Sequence, residues 1–179
     1  MTLLIDGILD YSTLGATDYK IETIDLNETI DNITTDLELV IQEKKAILVK
    51  DSFPNIDGVP ILIQQLFYNL INNALKFSKA TEPPRVTIYA KPVKIKGQAH
   101  IQIAVKDNGI GISAANAEKI FGAFQRLHSK SDYEGNGLGL SLYKKIAERH
   151  HGTITVEGEE NLGTAFIVTL PLTQKPSII

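Results

Sequence analysis

The chain has 179 residues, no cysteine and a formal net charge of −3, from 18 Lys and Arg against 21 Asp and Glu. This length suits a single domain, and the charge argues against a basic surface that holds nucleic acid. The absence of cysteine excludes disulfides, thiolate metal sites and a cysteine nucleophile, and it fits a cytoplasmic setting. No apolar run reaches the roughly 18 residues that span a bilayer, so no direct membrane contact is expected.

Two helices are predicted in the first quarter of the chain. Residues Met1–Leu14 have apolar side chains at helical spacing and are followed by Gly15, a typical helix stop. A second helix is expected to start at Asp25, which forms a capping-box pattern with Glu28, and to run unbroken to about Lys45. Its apolar face is formed by Leu26, Ile30, Ile33, Leu37 and Ile41.

The middle of the chain predicts a short strand, a long helix and a hairpin. The strand or turn lies at Leu48–Ser52, and Pro60 is expected to open the helix, which ends before Pro83. Alternating apolar residues predict two antiparallel strands at Arg85–Lys91 and Ala99–Asp107. The apolar positions of the helix are Ile63, Leu66, Phe67, Leu70, Ala74 and Phe77.

The last part of the chain predicts a loop, a helix and two strands. Asp107–Gly137 is expected to be mostly loop, Leu138–His150 a helix, and Thr153–Glu157 and Thr164–Leu170 the strands. The order of elements indicates an α+β fold, in which a mixed, mostly antiparallel sheet is covered on one face by three helices.

Three polar residues of the long helix are candidates for a metal and phosphate site. Asn69, Asn73 and Lys76 fall within roughly 60° of one another around the helix, beside its apolar stripe. Amide oxygens suit a hard cation such as Mg²⁺, and a lysine at the same level can neutralise phosphate oxygens. The alternative is that these side chains are simply solvated.

Asp107 is a candidate ligand-binding residue because the alternation of its strand directs the carboxylate toward the apolar interior. A buried carboxylate needs a partner, and a ligand that donates N–H groups, such as adenine, would serve. Gly109 and Gly111 let the backbone turn sharply beside a flat ring. The alternative is an ordinary Asp-Asn-Gly turn.

Glu134–Gly139 forms a glycine-rich entry to the next helix, and free N–H groups at a helix start form an anion site. It is neither a Walker A loop nor a dinucleotide-binding fingerprint. Arg126, His128 and Lys130 precede it and would place positive charge over phosphates, unless this stretch is only a solvated loop.

Five sequence motifs resemble those of the catalytic domains of sensor histidine kinases. The resemblance covers roughly Ile24–Leu172 and implies the two-layer α/β sandwich of the Bergerat type, which binds ATP with Mg²⁺ under a lid. The motifs are NLINNALKF (69–77), DNGIG (107–111), FGAF (121–124), GNGLGLSL (135–142) and NLGTAF (161–166).

The resemblance implies a role for each matched residue. Asp107 would accept the adenine amine, assisted through water by Thr164, and Asn73 would bind Mg²⁺ with Asn69 beside it. The residues that would surround the nucleotide are Gly109, Gly111, Gly135, Gly137, Leu138 and Gly139.

The resemblance also assigns phosphate and lid residues. Lys76 and Arg126 would contact phosphates, and Phe121 and Phe124 would anchor the lid, although both phenylalanines also suit a plain core. His151 departs from the family pattern, since it stands where the family usually has glycine, and the lid is short.

The chemistry expected of the chain is phosphoryl transfer to histidine. ATP-hydrolysing relatives have a glutamate at the position of Asn69, and an amide cannot take a proton from water at neutral pH. A gyrase-like or chaperone-like ATPase clamp, a degenerate nucleotide-binding module and a serine-kinase relative are the alternatives.

The acceptor is expected outside this chain, which has no histidine before His100. Residues 1–20 resemble the close of a dimerisation helix with its linker, 21–173 the catalytic domain, and 174–179 a tail. The partners implied are the kinase's own histidine-bearing dimerisation domain and a response-regulator receiver domain, with a full-length homodimer.

Overall fold

The computed structural model describes residues 20–113, 116, 120 and 139–174. The predicted helix at Met1–Leu14 therefore lies outside the described residues, as do Phe121, Phe124, Arg126, His128, Lys130, Gly135, Gly137 and Leu138. The helices and strands are β1 Glu22–Ile24, α1 Leu26–Asp36, α2 Glu38–Glu43, β2 Ile47–Lys50, β3 Ile56–Gly58, α3 Pro60–Lys76, β4 Arg85–Ile95, β5 Gln98–Asp107, α4 Gly139–Arg149, β6 Thr153–Glu159 and β7 Gly163–Pro171.

Five strands form one mixed sheet in the order β2, β4, β5, β7, β6. Strand β2 runs parallel to β4, and the other three neighbouring pairs are antiparallel. Helices α3 and α4 pack on this sheet, and α1 packs on α3. The predicted fold class is confirmed. No helix in the described residues is long and apolar enough to cross a membrane.

Helix α3 is the centre of the core. Its inward residues repeat at helical spacing, and Ile63, Leu66, Phe67, Leu70 and Ile71 have no exposed surface. Burying each such side chain contributes roughly 1.5–3 kcal/mol. The helix begins at Pro60 as predicted, and because it is anchored along its whole length its polar positions are held in fixed places.

The predicted helix over residues 25–45 is broken, which corrects the expectation of one continuous helix. Asp25 caps it as predicted, accepting the backbone N–H groups of Asn27 and Glu28. The helix ends at Asp36, and α2 begins only at Glu38. Near the break, two threonine hydroxyls donate to carbonyls one turn back: Thr34 to Ile30 and Thr35 to Asp31. Such bonds compete with the helical ladder and weaken it.

Strands β1 and β3 form a separate two-stranded antiparallel sheet that the sequence pattern does not predict. Each strand has three residues, which is too short to show alternation, and β3 contains Asp57 and Gly58, both poor strand formers. Only pairing with a distant segment makes these residues extended.

His150 joins the end of α4 to the start of α3. Its Nδ1 donates to the Ile146 carbonyl oxygen at 2.7 Å, and its Nε2 accepts the Val59 N–H at 2.9 Å. Burial lowers the pKa of His150, so the ring stays neutral. Both ring nitrogens are engaged, and this histidine therefore has a structural role.

His151 is expected to cost stability, because it adopts a left-handed backbone with φ of 56° just after α4. This is the position at which helices usually end in glycine. Replacing His151 with glycine is expected to raise the free energy of unfolding by about 1 kcal/mol, measured by urea denaturation at pH 8.

His151→Ala is the matched control for this prediction, since it removes the imidazole but keeps the β-carbon. We expect no gain from alanine. Equal stabilisation by both substitutions would show that the imidazole, and not the backbone conformation, is the source of the cost.

Candidate functional site

Asp107 is buried at the end of β5, as the strand alternation predicts. It is 8% exposed. Its Oδ1 accepts the backbone N–H of Gly109 at 2.8 Å and that of Thr164 at 3.2 Å. Both of these bonds reach the same oxygen, so Oδ2 is the oxygen suited to accept an N–H from a ligand.

Burial raises the pKa of Asp107 to about 6. The two backbone hydrogen bonds and the positive charge of Lys79 act in the opposite direction but do not outweigh desolvation. Lys79 is held in a 2.8 Å ion pair with Glu82. Among the described residues, the groups around this carboxylate therefore do not offset the cost of burying its charge. A hydrogen-bond donor from a ligand would offset part of that cost.

The loop after Asp107 lies directly against the end of α3. The Ile110 N–H donates to the Phe77 carbonyl oxygen at 3.0 Å. A β-carbon at Gly109 would overlap that same carbonyl, so the position accepts only glycine without a shift of the backbone. The glycine predicted to approach a flat ring is thus also required for contact with α3.

The start of β7 closes the other side of Asp107. A β-carbon at Gly163 would overlap the Asp107 carbonyl oxygen, and the next residue, Thr164, supplies its backbone N–H to the carboxylate. The family resemblance implied a water-mediated role for Thr164; the structure adds a direct backbone contact, and the water remains a prediction.

The amides of Asn69 and Asn73 lie half-buried one turn apart on α3. The Asn69 Nδ2 donates to the Gln65 carbonyl oxygen at 2.8 Å. The Asn73 side chain interacts with the hydroxyl of Tyr143, on α4. Because the nitrogen of the Asn69 amide is engaged by the protein, its oxygen is left as the ligand atom, and oxygen is what Mg²⁺ prefers.

Lys76 follows Asn73 at the end of α3. Its ammonium lies 5.5 Å from the centre of the Phe77 ring. A cation over an aromatic face is held near that face without losing its charge. Lys76 therefore lies at the same end of α3 as the Asp107 loop.

The described part of the predicted site comes together from four elements. Asp107, Gly109 and Thr164 are in direct contact, and the Phe77 carbonyl connects their cluster to α3. Helix α4 starts at Gly139, and its contact with Asn73 brings the first turns of α4 beside the amides. The glycine-rich residues before Gly139 and the lid residues stay predictions, because they lie outside the described residues.

Three groups at the site were not predicted from the sequence: Lys79, the Phe77 carbonyl and the Tyr143 hydroxyl. Of these, only Tyr143 could have been found from the sequence pattern. It lies next to the inward position Leu142, and a tyrosine buried in a core normally needs a partner for its hydroxyl. Tyr143 is 4% exposed.

Comparison with known proteins gives matches over most of the chain. The family described as "Histidine kinase-, DNA gyrase B-, and HSP90-like ATPase" matches residues 58–174. Cyanobacterial phytochrome A of Nostoc sp. is 35% identical over 172 residues, which is 96% of this chain. The chain spans only 22% of the length of that relative.

Solved structures of the same fold include the histidine kinase ThkA and the protein ShkA. The catalytic domain of histidine kinase ThkA has a TM-score of 0.72 and 26% identity, covering 86% of this chain and 97% of that one. ThkA has also been solved in complex with response regulator protein TrrA. Full-length ShkA in complex with AMPPNP has a TM-score of 0.79 and 23% identity, covering 96% of this chain and 36% of that one.

Proposed function

Because this chain belongs to the family of histidine kinase-, DNA gyrase B- and HSP90-like ATPases, as a catalytic domain of the histidine-kinase type, we propose that it binds ATP with Mg²⁺ and transfers the γ-phosphate to a histidine of its parent kinase. The observation that carries this proposal is the buried, under-compensated carboxylate of Asp107. It supplies what an adenine amine requires, a buried hydrogen-bond acceptor.

The pocket divides into a base end and a phosphate end. Asp107 Oδ2 would accept the exocyclic amine of adenine, and the contact of the Gly109 loop with α3 holds that end in place. Lys76 and the amides of α3 would line the phosphate end. The nucleotide analogue AMPPNP in ShkA, a protein of the same fold, supports this use of the pocket.

Magnesium would be held by Asn73, with Asn69 beside it, and when bound it would neutralise charge on the transferring phosphoryl group. The donor set fits a hard cation, since both residues offer amide oxygens and the amide nitrogen of Asn69 is already bonded to the Gln65 carbonyl oxygen. The protein's own contribution is then positioning and charge neutralisation, as is usual in phosphoryl transfer.

Transfer to histidine, and not to water, is favoured by Asn69. Its side chain is an amide whose nitrogen already donates to Gln65, so it cannot act as a general base for water. Two of the three described histidines are poor acceptors, since His100 is buried in β5 and both ring nitrogens of His150 are engaged, whereas His151 is exposed. The acceptor is proposed to lie on a dimerisation helix of the parent, which then passes the phosphoryl group to a receiver domain.

The proposed function predicts that this chain binds ATP but does not label itself. Titration calorimetry with ATP and Mg²⁺ should show binding by the wild type and none by Asp107→Ala, whereas the control Asp36→Ala, an exposed carboxylate on α1, should bind normally. Incubation with [γ-³²P]ATP should leave the chain without acid-labile label, and a longer version that includes the upstream helices should become labelled.

Two results would contradict this assignment. Stable acid-labile label on the isolated chain would place an acceptor within these residues. Steady-state ATP hydrolysis that is lost in Asn69→Ala would favour an ATPase clamp of the gyrase or chaperone type.

A further inference from the structure

Asn108, the residue that follows Asp107, is bonded through its side chain to the backbone at the start of β4. Its Oδ1 accepts the Arg85 N–H at 2.7 Å, and its Nδ2 donates to the Pro83 carbonyl oxygen at 3.2 Å. One carboxamide thus satisfies a backbone donor and a backbone acceptor, as a peptide group on a neighbouring strand would.

These bonds continue the β4–β5 ladder past the point at which the β5 backbone leaves it. The last pair of the ladder at this end is Val86 with Asp107. The next position on β4 is Arg85, and its N–H is bonded to the side chain of Asn108 instead of to a β5 carbonyl. Because the carboxamide takes the place of a peptide group, the backbone is free to turn away directly after Asp107.

The turn that results is the one that holds the carboxylate of Asp107. Its Oδ1 accepts the N–H of Gly109, only two residues further on. The Ile110 N–H then reaches the Phe77 carbonyl oxygen, at the end of α3. Asn108 lies inside this turn, so a shift of its backbone would displace Asp107 on one side and Gly109 on the other.

We propose that Asn108 is a positioning residue for base recognition: its carboxamide fixes the Asp107 turn to the start of β4 and so holds the carboxylate where it accepts the exocyclic amine of adenine. This inference rests on the proposed function, because it assigns a role beside the same carboxylate. Both polar atoms of the Asn108 side chain are already bonded to the protein, so its effect reaches the nucleotide through Asp107.

The test compares two ligands, ATP and purine riboside triphosphate, which is ATP without the exocyclic amine. The ratio of their affinities, measured by titration calorimetry with Mg²⁺, reports on the amine contact, because the sugar and the triphosphate are the same in both. The wild type should prefer ATP by at least about 30-fold, since without the amine a buried carboxylate loses its donor. In Asn108→Ala this preference should fall about tenfold, because the carboxylate is no longer held in place.

Asn27 offers a matched control, since its carboxamide makes the same pair of backbone bonds outside the proposed site. Its Nδ2 donates to the Phe53 carbonyl oxygen at 2.8 Å, and its Oδ1 accepts the Phe53 N–H at 2.9 Å. Asn27→Ala and Asn108→Ala should both lower the midpoint of urea denaturation, but Asn27→Ala should leave the preference for ATP within about twofold of the wild type. An equal loss of preference in both variants would show that general loosening of the fold is the cause, and would overturn the positioning role.

Asn108→Asp is the second variant, and it carries the test alone if Asn108→Ala does not fold. A carboxylate still accepts the Arg85 N–H but cannot donate to the Pro83 carbonyl, so one of the two bonds remains. Its charge acts on both triphosphates alike and cancels in the ratio of affinities. The preference for ATP should fall at least about threefold, less than in Asn108→Ala.

The outcomes separate this inference from the proposed function. If the wild type fails to bind ATP, both are overturned. If it binds the two triphosphates equally, the adenine contact of Asp107 is overturned, and the role of Asn108 with it. If the wild type prefers ATP and the Asn108 variants keep that preference, or weaken both ligands equally, only the positioning role is overturned.

Discussion

Replacing Asp107 with asparagine is expected to remove most of the affinity for ATP while making the nucleotide-free chain more stable at neutral pH. Asparagine can still accept the N–H groups of Gly109 and Thr164 through its oxygen. It then presents an NH₂ group to the adenine amine, so two donors face each other. We expect affinity to fall at least about 100-fold, since a site built around one hydrogen bond rejects the unpaired alternative strongly.

The gain in stability follows from the raised pKa of Asp107. A pKa that rises from 3.8 to about 6 on folding means that the fold favours the protonated form. The stabilisation that this proton provides is fully present below pH 4 and is lost as the pH rises through about 6. Above that range, ionisation of the buried carboxyl lowers the free energy of unfolding by about 3 kcal/mol. Asparagine is neutral at every pH and avoids most of this cost.

Urea denaturation of the nucleotide-free proteins at pH 5 and pH 8 checks this expectation. The advantage of Asp107→Asn should be about 2 kcal/mol at pH 8 and clearly smaller at pH 5. Asp36→Asn, an exposed carboxylate in α1, is the control and should show no comparable change between the two pH values. An advantage that does not depend on pH would refute the assignment of the cost to an ionised buried carboxyl.

Replacing Gly111 with alanine is expected to be among the most destabilising single changes in the chain. Gly111 has a φ of 76°, and a β-carbon there would overlap the backbone carbonyl oxygen of Glu159. The obstacle is backbone at the end of β6, which cannot rotate away as a side chain would. We expect the free energy of unfolding to fall by about 4 kcal/mol and ATP binding to be lost.

Gly97 is a matched control for this prediction because its backbone conformation is nearly the same. Its φ is 83°, but a β-carbon there would have no atom within 4 Å. Gly97→Ala therefore measures the conformational strain alone, which should be about 1 kcal/mol. If both substitutions lowered the free energy of unfolding by the same amount, the need for glycine at Gly111 would not come from close packing of the Asp107 loop against β6.

The sequence pattern predicted the elements whose periodicity is long enough to be read. Helix α3 extends over 17 residues, and its apolar stripe corresponds to the buried face. The β4 and β5 hairpin was recognised from alternation in the same way. Strands β1 and β3 show no such pattern, and the apolar stripe of residues 25–45 continues across the break after Asp36 without marking it.

In the candidate site, too, local features could be predicted from the sequence and contacts between distant segments could not. The burial of Asp107 could be inferred from local alternation, and the common face of Asn69 and Asn73 from helical geometry. Neither inference reveals which atoms oppose these groups, because their partners are distant in sequence: Thr164 for the carboxylate and Tyr143 for the amide.

By itself, the sequence determined the class of fold, the helix and strands that carry the site, and the residue types available for an adenine, a cation and phosphates. These are properties of short windows, in which periodicity and residue chemistry are sufficient. Only the tertiary structure decided that the Phe77 carbonyl abuts Gly109, that burial raises the pKa of Asp107, and that the Thr164 N–H donates to that carboxylate. Those facts depend on which distant segments pack together, and packing places atoms in contact without leaving a local pattern in either segment.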